Sequence, residues 1–190
     1  MDKRDKLTHI FLEKNKNINL SAIRDEQWVN IKHIQDSLVL EKLIEREKWM
    51  YIADVWTWWW FPLMPLAISH PECSFVWIDS IKKKTIAVWD ILNELWVKNV
   101  KMIWSRIEDL KWYNFDLITA RAVAYSDKLL KWILPHVKKW GKIALMKEEN
   151  DEEKAILLEI IRKKNLILET EYKYKLFDED INRVIYILKK

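Results

Sequence analysis

From Tyr51 onward the chain alternates short apolar runs with amphipathic ones, and no other feature restricts its fold as much. Residues 51–55, 75–79, 100–103, 115–120 and 143–146 read as strands, each too short for a helix and bounded by polar or turn-forming residues. The clearest intervening helix is 81–95, where Ile81, Thr85, Val88, Leu92 and Leu95 fall three and four apart and predict one buried face. Strands alternating with helices of this length make βαβ units, whose crossovers are right-handed and whose sheet is parallel. After a helix at 151–164, the apolar runs 166–170 and 184–188 have no helical pattern between them, which predicts a terminal antiparallel pair. Residues 1–48 differ: Ile10, Phe11, Ile18, Leu20, Ile23, Ile31, Ile34, Leu38 and Leu40 recur near helical spacing. The expected organisation is a helical N-terminal extension, 1–48, before an α/β domain over 49–190. No repeat or low-complexity linker interrupts it.

An open parallel sheet binds ligands beyond the carboxyl ends of its strands, so the residues leaving the first strand matter most. Here they are Asp54-Val55-Trp56-Thr57-Trp58-Trp59-Trp60-Phe61-Pro62. The position is that of a nucleotide-binding loop, which needs glycine so that the backbone can turn tightly and approach a ligand closely. Tryptophan stands wherever glycine is wanted. A chain of this length carries about 13 glycines at the usual share of roughly 7%, whereas this one has 1 Gly and 13 Trp. The two counts look exchanged. Many of these tryptophans therefore read as glycines misread in translation, as when a UGA codon assigned to glycine is decoded as tryptophan. The reading applies first to Trp56, Trp58, Trp59, Trp60 and Trp140, the last beside the single glycine in Lys139-Trp140-Gly141-Lys142. Trp49, Trp77 and Trp96 follow, and Trp132 is a candidate for a genuine tryptophan. Taken literally, Trp56, Trp58, Trp59, Trp60 and Phe61 make an aromatic platform for a base, a sugar or a membrane interface. Asp54 and the adjoining prolines argue against membrane burial.

Composition excludes more than it selects. The single cysteine, Cys73, rules out a disulfide framework and reads as a small buried residue in a reducing compartment. His9, His33, His70 and His136 lack metal-ligand spacing, so no metal is expected, and no Ser-His-Asp or Cys-His arrangement can be defended. A net charge of +4 and a pI near 8.9 fall short of a dedicated nucleic-acid binder. The polar N-terminus is unlike a signal peptide, and the longest uncharged run, 55–69, contains two prolines and is too short to span a bilayer. The expectation is a soluble, cytoplasmic protein.

Several charged residues fall at predicted strand ends, each with two readings. Asp79 ends the second strand, where an acidic side chain accepts hydrogen bonds from a ribose or caps the helix that follows. Ser105-Arg106-Ile107-Glu108-Asp109 follows the third strand, at the adenine end of such sites or as a helix cap. Arg121 and Lys147 end the fourth and fifth strands, where an unpaired cation is costly and a site role is favoured. Lys82-Lys83-Lys84 is a solvated helix face or a phosphate contact.

Together these pieces resemble the bacterial 16S ribosomal RNA guanine methyltransferase family RsmG, also called glucose-inhibited division protein B. The resemblance runs through Asn19-Leu20-Ser21-Ala22-Ile23-Arg24-Asp25, Lys32-His33-Ile34-Gln35-Asp36-Ser37-Leu38, the 54–62 stretch, Ile78-Asp79-Ser80, Ser105-Arg106-Ile107-Glu108, Ala120-Arg121-Ala122 and Ala144-Leu145-Met146-Lys147. It implies a class I S-adenosylmethionine-dependent methyltransferase, a doubly wound seven-stranded Rossmann-like sheet with an antiparallel last strand. The implied reaction is methylation of nitrogen 7 of a guanosine in 16S rRNA, with the small ribosomal subunit as partner. It carries cofactor contacts onto Trp56, Phe61, Asp79, Ser80, Ile81, Ile107, Glu108 and Arg121, and leaves Arg121 and Lys147 as candidates for a catalytic role. The departures are the tryptophans and Leu63, where the family usually has another glycine. The alternatives are a class I methyltransferase with another substrate, or a non-catalytic Trp-rich module that binds RNA or sugars.

Overall fold

The computed structural model describes residues 3–18, 22–44, 49–55, 61–121, 125–176 and 182–190. Their apolar runs pair into one seven-stranded sheet: β1 (Tyr51–Val55), β2 (Ser74–Asp79), β3 (Val100–Trp104), β4 (Phe115–Arg121), β5 (Val137–Glu148), β6 (Ile167–Lys175) and β7 (Asn182–Lys189). The order is β3-β2-β1-β4-β5-β7-β6, parallel from β3 through β5. β7 runs antiparallel to both β5 and β6, as the sequence predicts for a terminal pair. β1, β2 and β4 are covered on both faces, which is why they read as unbroken apolar runs. β5 extends well beyond the predicted 143–146, because Lys138, Lys139 and Lys142 leave no apolar run there.

Helices cover both faces. On one side lie α1 (Lys3–Ile18), α2 (Glu26–Val29) leading through a π-helical stretch (Asn30–Gln35) into α3 (Asp36–Glu41), α4 (Leu63–Ser69) and α5 (Lys82–Glu94). Leu7, Phe11, Val29, Ile34 and Leu40 from the first of these share a single core with Met64, Trp77, Val88 and Ile91, so residues 3–41 form part of a layer. On the other side α6 (Ser126–Ile133) and α7 (Asp151–Lys164) bury Leu129, Ile133, Leu157 and Ile161 against Ala53, Val76, Ile118 and Leu145. Asn150 caps α7, accepting from the Glu153 amide, and three acidic residues in its first turn and three basic ones in its last suit the helix dipole. The predicted face of α5 holds at Val88, Leu92 and Leu95, joined by Ala87 and Ile91, and is corrected at Thr85, which is half-buried, and at Ile81, which is 48% exposed as the extended N-cap residue.

Backbone geometry separates the tryptophans into kinds. Among the described residues, five other than glycine have positive φ: Trp49 (71°), Trp96 (53°), Trp112 (70°), Trp140 (69°) and Asn165 (52°). Both Trp96 and Asn165 close a helix in the same way. After α5 the Trp96 amide donates to Asn93 O and the Val97 amide to Leu92 O; after α7 the Asn165 amide donates to Arg162 O and the Leu166 amide to Ile161 O. This pair of hydrogen bonds is the Schellman ending, whose left-handed residue is usually Gly and sometimes Asn. Trp140 sits where the β4–β5 register breaks between Val137 and Lys142. Trp77, expected above among the misread glycines, is corrected: it is 0% exposed in the middle of β2. A glycine there would leave an indole-sized hole in the core. Trp56, Trp58, Trp59 and Trp60 lie outside the described residues.

Gly141 is held to its identity by space. A Cβ added there meets Val137 Cγ1 at 2.9 Å and the Asp116 and Lys138 carbonyl oxygens at 3.1 Å. Gly141→Ala is expected to cost about 1–3 kcal/mol in urea unfolding, because two of the three obstacles are backbone. Trp140→Gly acts oppositely: relieving a left-handed aromatic residue is worth roughly 1 kcal/mol, a rise of about 2–4 °C in thermal midpoint for a chain of this size. A fall in midpoint would show that the Trp140 backbone is not strained.

Candidate functional site

Strand register brings two of the predicted site residues onto one row. Val55 pairs with Ile78 and Asp54 with Thr119, so Asp79 and Arg121 each stand one residue beyond the level of Val55, on either side of the β1 end. Two strand spacings put their Cα atoms roughly 10 Å apart. Below this row Asp54 is buried, with Oδ1 accepting from the Thr119 hydroxyl at 2.8 Å.

Asp79 is buried, and its Oδ1 accepts from the Ile81 amide at 2.8 Å. Burial raises its carboxyl above the usual range, while the Ile81 and Ser80 amides and the Lys84 charge pull it back. The capping alternative is not met, because the contact is to the amide of the N-cap residue Ile81 and α5 has no side-chain cap; it occupies only part of the acceptor capacity of a carboxylate. Ser80 and Ile81 follow it on the surface, with the Ser80 carbonyl accepting from the Trp104 indole at 2.9 Å.

Ile107 and Glu108 lie in a 3-10 turn (Ile107–Asp109) after β3; Ile107 is buried and Glu108 exposed. The cap reading of Ser105 is corrected, because its hydroxyl donates to Arg106 O and the turn has no side-chain cap. Phe61 is a core residue, its ring stacked on His33 at 4.8 Å and edge-on to Phe11 at 5.9 Å. A ligand contact at Phe61 or Ile107 therefore falls to the backbone. Trp56 lies outside the described residues, as do Ala122 and the Asn19-Leu20-Ser21 part of the N-terminal motif.

Arg121 is buried and gathered into a network that its sequence position does not reveal. Its Nε lies 2.9 Å from Asp36 Oδ2, its Nη2 donates to the Lys32 carbonyl at 2.5 Å, and the Tyr174 hydroxyl donates to Asp36 Oδ1 at 2.5 Å. Burial lowers the guanidinium pKa and the Asp36 charge opposes that. Tyr174 is raised by burial and then by Asp36. Nη1 of Arg121 is buried without a hydrogen-bond partner among the described residues. Asp36 belongs to a motif already singled out, so its signal was present; Tyr174 sits on an edge strand of alternating exposure, where nothing in the sequence marks it.

Lys147 is held elsewhere. Its Nζ is 2.6 Å from Glu153 Oε1, which also accepts from the Ser126 hydroxyl and amide, tying β5 to α6 and α7. Burial raises the Glu153 carboxyl, but these partners outweigh it and leave the pKa lowered. Lys82 stacks over Trp104 at 5.1 Å, and Lys82 and Lys83 are exposed in the first turn of α5, which holds no acidic residue. A cavity of about 370 Å³ lined by Leu43, Asp116, Trp140, Lys142 and Glu169 lies at the opposite edge of the sheet, where the parallel strands begin. Among the described residues no three His, Cys, Asp or Glu side chains converge on a metal-sized site, and no helix is long and apolar enough to cross a membrane.

Comparison with known proteins agrees with this arrangement. The profile of a family described as GidB, rRNA small subunit methyltransferase G, matches residues 2–180. A Thermoanaerobacter protein named ribosomal RNA small subunit methyltransferase G is 36% identical over 190 residues, covering 95% of this chain and 78% of its own length. One of the same name from Leuconostoc citreum is 34% identical over 145 residues, covering 73% of this chain and 61% of its own length. In fold, the chain is similar to a SAM dependent methyltransferase from Aquifex aeolicus, with a TM-score of 0.67 at 17% identity over 93% of this chain and 97% of that one.

His33 supplies a pH dependence that belongs to this layer. Burial, then the Arg121 charge, push its pKa down from 6.5 to about 3. A folded value below the unfolded one means that the unfolded chain takes up the proton first, so stability is lost as pH falls through about 6.5. Between neutral pH and pH 5 the loss from His33 is about 2 kcal/mol. In urea unfolding, His33→Gln is expected to show a pH slope shallower by that amount, and an unchanged slope would mean that His33 is charged in the folded protein.

Proposed function

The chain belongs to the rRNA small subunit methyltransferase G family, and from that membership we propose that it transfers a methyl group from S-adenosylmethionine to nitrogen 7 of a guanosine in 16S ribosomal RNA. The observation that carries the reading is the row formed by Asp79 and Arg121 at the carboxyl ends of β2 and β4, on either side of the end of β1, from which the 56–62 stretch follows in sequence. Such a crevice is where an open α/β sheet binds its ligand.

The residues present suit the cofactor in part. Asp79, buried and with acceptor capacity beyond its backbone contacts, accepts from the ribose hydroxyls, and donation from those hydroxyls offsets part of what desolvation costs the carboxylate. The turn holding Ile107 and Glu108 takes the adenine side, and the backbone at Ser80 and Ile81 borders it. Buried Arg121 Nη1 is a donor awaiting an acceptor on the ligand or the guanosine. The literal loop sequence does not suit it: tryptophan at 56, 58, 59 and 60 stands where a nucleotide-binding loop calls for glycine.

S-adenosylmethionine supplies an electrophilic methyl on a sulfonium. Guanine nitrogen 7 carries an exposed lone pair, so the protein has to align two reactants and needs no general base to make the nucleophile. Arg121 holds a guanine or phosphate oxygen more readily than Lys147, which is committed to Glu153. Lys82 and Lys83, exposed where a helix dipole favours anions, suit the RNA backbone. In this reading residues 1–48 are a helical extension on a methyltransferase domain over 49–190, and the enzyme works in the cytoplasm on the small ribosomal subunit or its RNA.

In protein made with its native genetic code, Asp79→Ala is expected to weaken S-adenosylmethionine binding about 10- to 150-fold, the value of a hydrogen bond to a charged acceptor. Calorimetric titration measures it, and unchanged affinity would remove Asp79 from the site.

A further inference from the structure

We propose that Trp49, Trp96, Trp112 and Trp140 occupy positions that the native protein fills with glycine, and that the same decoding applies to Trp56, Trp58, Trp59 and Trp60. The S-adenosylmethionine loop is then competent only in the glycine form. Four of the five non-glycine residues with positive φ among those described are tryptophan, in a chain where tryptophan makes up 13 of 190 residues. A bulky aromatic residue is among the least suited to that region. The two Schellman endings supply an internal comparison: one uses Asn165, the ordinary substitute for glycine, and the other uses Trp96. All four indoles point away from the core, from Trp140 at 63% exposure to Trp112 at 96%. Trp112 was not singled out by sequence, since nothing around Lys111-Trp112-Tyr113 resembles a glycine motif. The buried Trp77 shows that the exchange is not uniform, because there the indole fills the core. Trp28, Trp89 and Trp104 have no backbone signature and stay unassigned.

The account of the loop rests on the methyltransferase reading, whereas the four backbone positions do not, and the test keeps them apart. Peptides of the protein from its native source are sequenced by mass spectrometry across residues 49, 77, 96, 112 and 140. Glycine at 49, 96, 112 and 140 with tryptophan at 77 is expected; tryptophan at 96 and 140 overturns the proposal. In the expressed chain, Trp49→Gly, Trp96→Gly, Trp112→Gly and Trp140→Gly combined are expected to raise the thermal midpoint and Trp77→Gly to lower it. A combined variant that melts lower overturns it equally. Neither readout needs activity, so loss of the enzymatic reading leaves this result standing.

Independently, the buried network at the end of β4 points to Asp36 and Tyr174 as positioning residues for Arg121, given the reading that Arg121 meets the cofactor or guanosine. Asp36 Oδ2 pairs the charge 2.9 Å from Nε, the Lys32 carbonyl accepts from Nη2, and Tyr174 donates to the other oxygen of the pairing carboxylate. The nitrogen left over, Nη1, is buried and without a protein partner among the described residues. A guanidinium held by one hydrogen bond and a buried ion pair presents the remaining nitrogen over a narrow range of directions. Tyr174→Phe removes a single hydrogen bond with little change of shape and is the informative variant, because Asp36→Asn strands a buried cation. In enzyme made with its native code, Tyr174→Phe is expected to lower kcat/KM for rRNA methylation about five-fold, with the thermal midpoint moving by no more than about 2 °C. Unchanged kcat/KM, or a loss matched by the fraction unfolded, overturns the assignment and leaves the network as a brace for the N-terminal helices.

Discussion

A parallel sheet buried on both faces has one place to work, the ends of its strands. Its faces are spent on helices, its edges on pairing, and each strand must return through a crossover. In this chain β1, β2 and β4 are covered by α1, α4 and α5 on one side and α6 and α7 on the other. The residues that leave these strands therefore carry both the turn geometry and the chemistry. The left-handed tryptophans lie toward the other end of the sheet, where the backbone must turn without supplying the chemistry: before β1, after α5, before β4 and at the register break of β5.

The same logic explains how the N-terminal helices matter to a site they do not contain. Asp36 and the Lys32 carbonyl reach the end of β4 from the helical segment 26–41, and His33 packs on Phe61 just after the loop. A buried guanidinium is tolerable only where its charge is paired and its donors are met. Asp36 pairs the charge, and the Lys32 carbonyl accepts from Nη2. The described N-terminal helices thus reach the end of β4 and share their core with α5.

Most of the architecture was legible in the sequence because strands buried on both faces leave unbroken apolar runs. Tyr51–Val55 and the helix at Asp151–Lys164 fall at the predicted limits. β5 and β6 were read short, since their outer halves are exposed and alternate without an apolar run. Asp79 and Arg121 were legible as strand-end charges; their partners were not, because Tyr174 lies 138 residues from Asp36 along the chain. Trp77 was misjudged and Trp112 overlooked for one reason: composition shows that glycine is missing but only φ and burial show where.

The central claim is that this fold methylates small-subunit rRNA through a loop that must be glycine. The most direct measurement is to map 7-methylguanosine in 16S rRNA of a bacterium whose own enzyme of this family has been deleted, after supplying this gene in two forms. The form with glycine at Trp49, Trp56, Trp58, Trp59, Trp60, Trp96, Trp112 and Trp140 is predicted to restore the modified nucleotide, and the form with tryptophan throughout to leave it unmodified. Restoration by the tryptophan form would contradict the account of the loop, and failure of a folded glycine form would contradict the assigned activity.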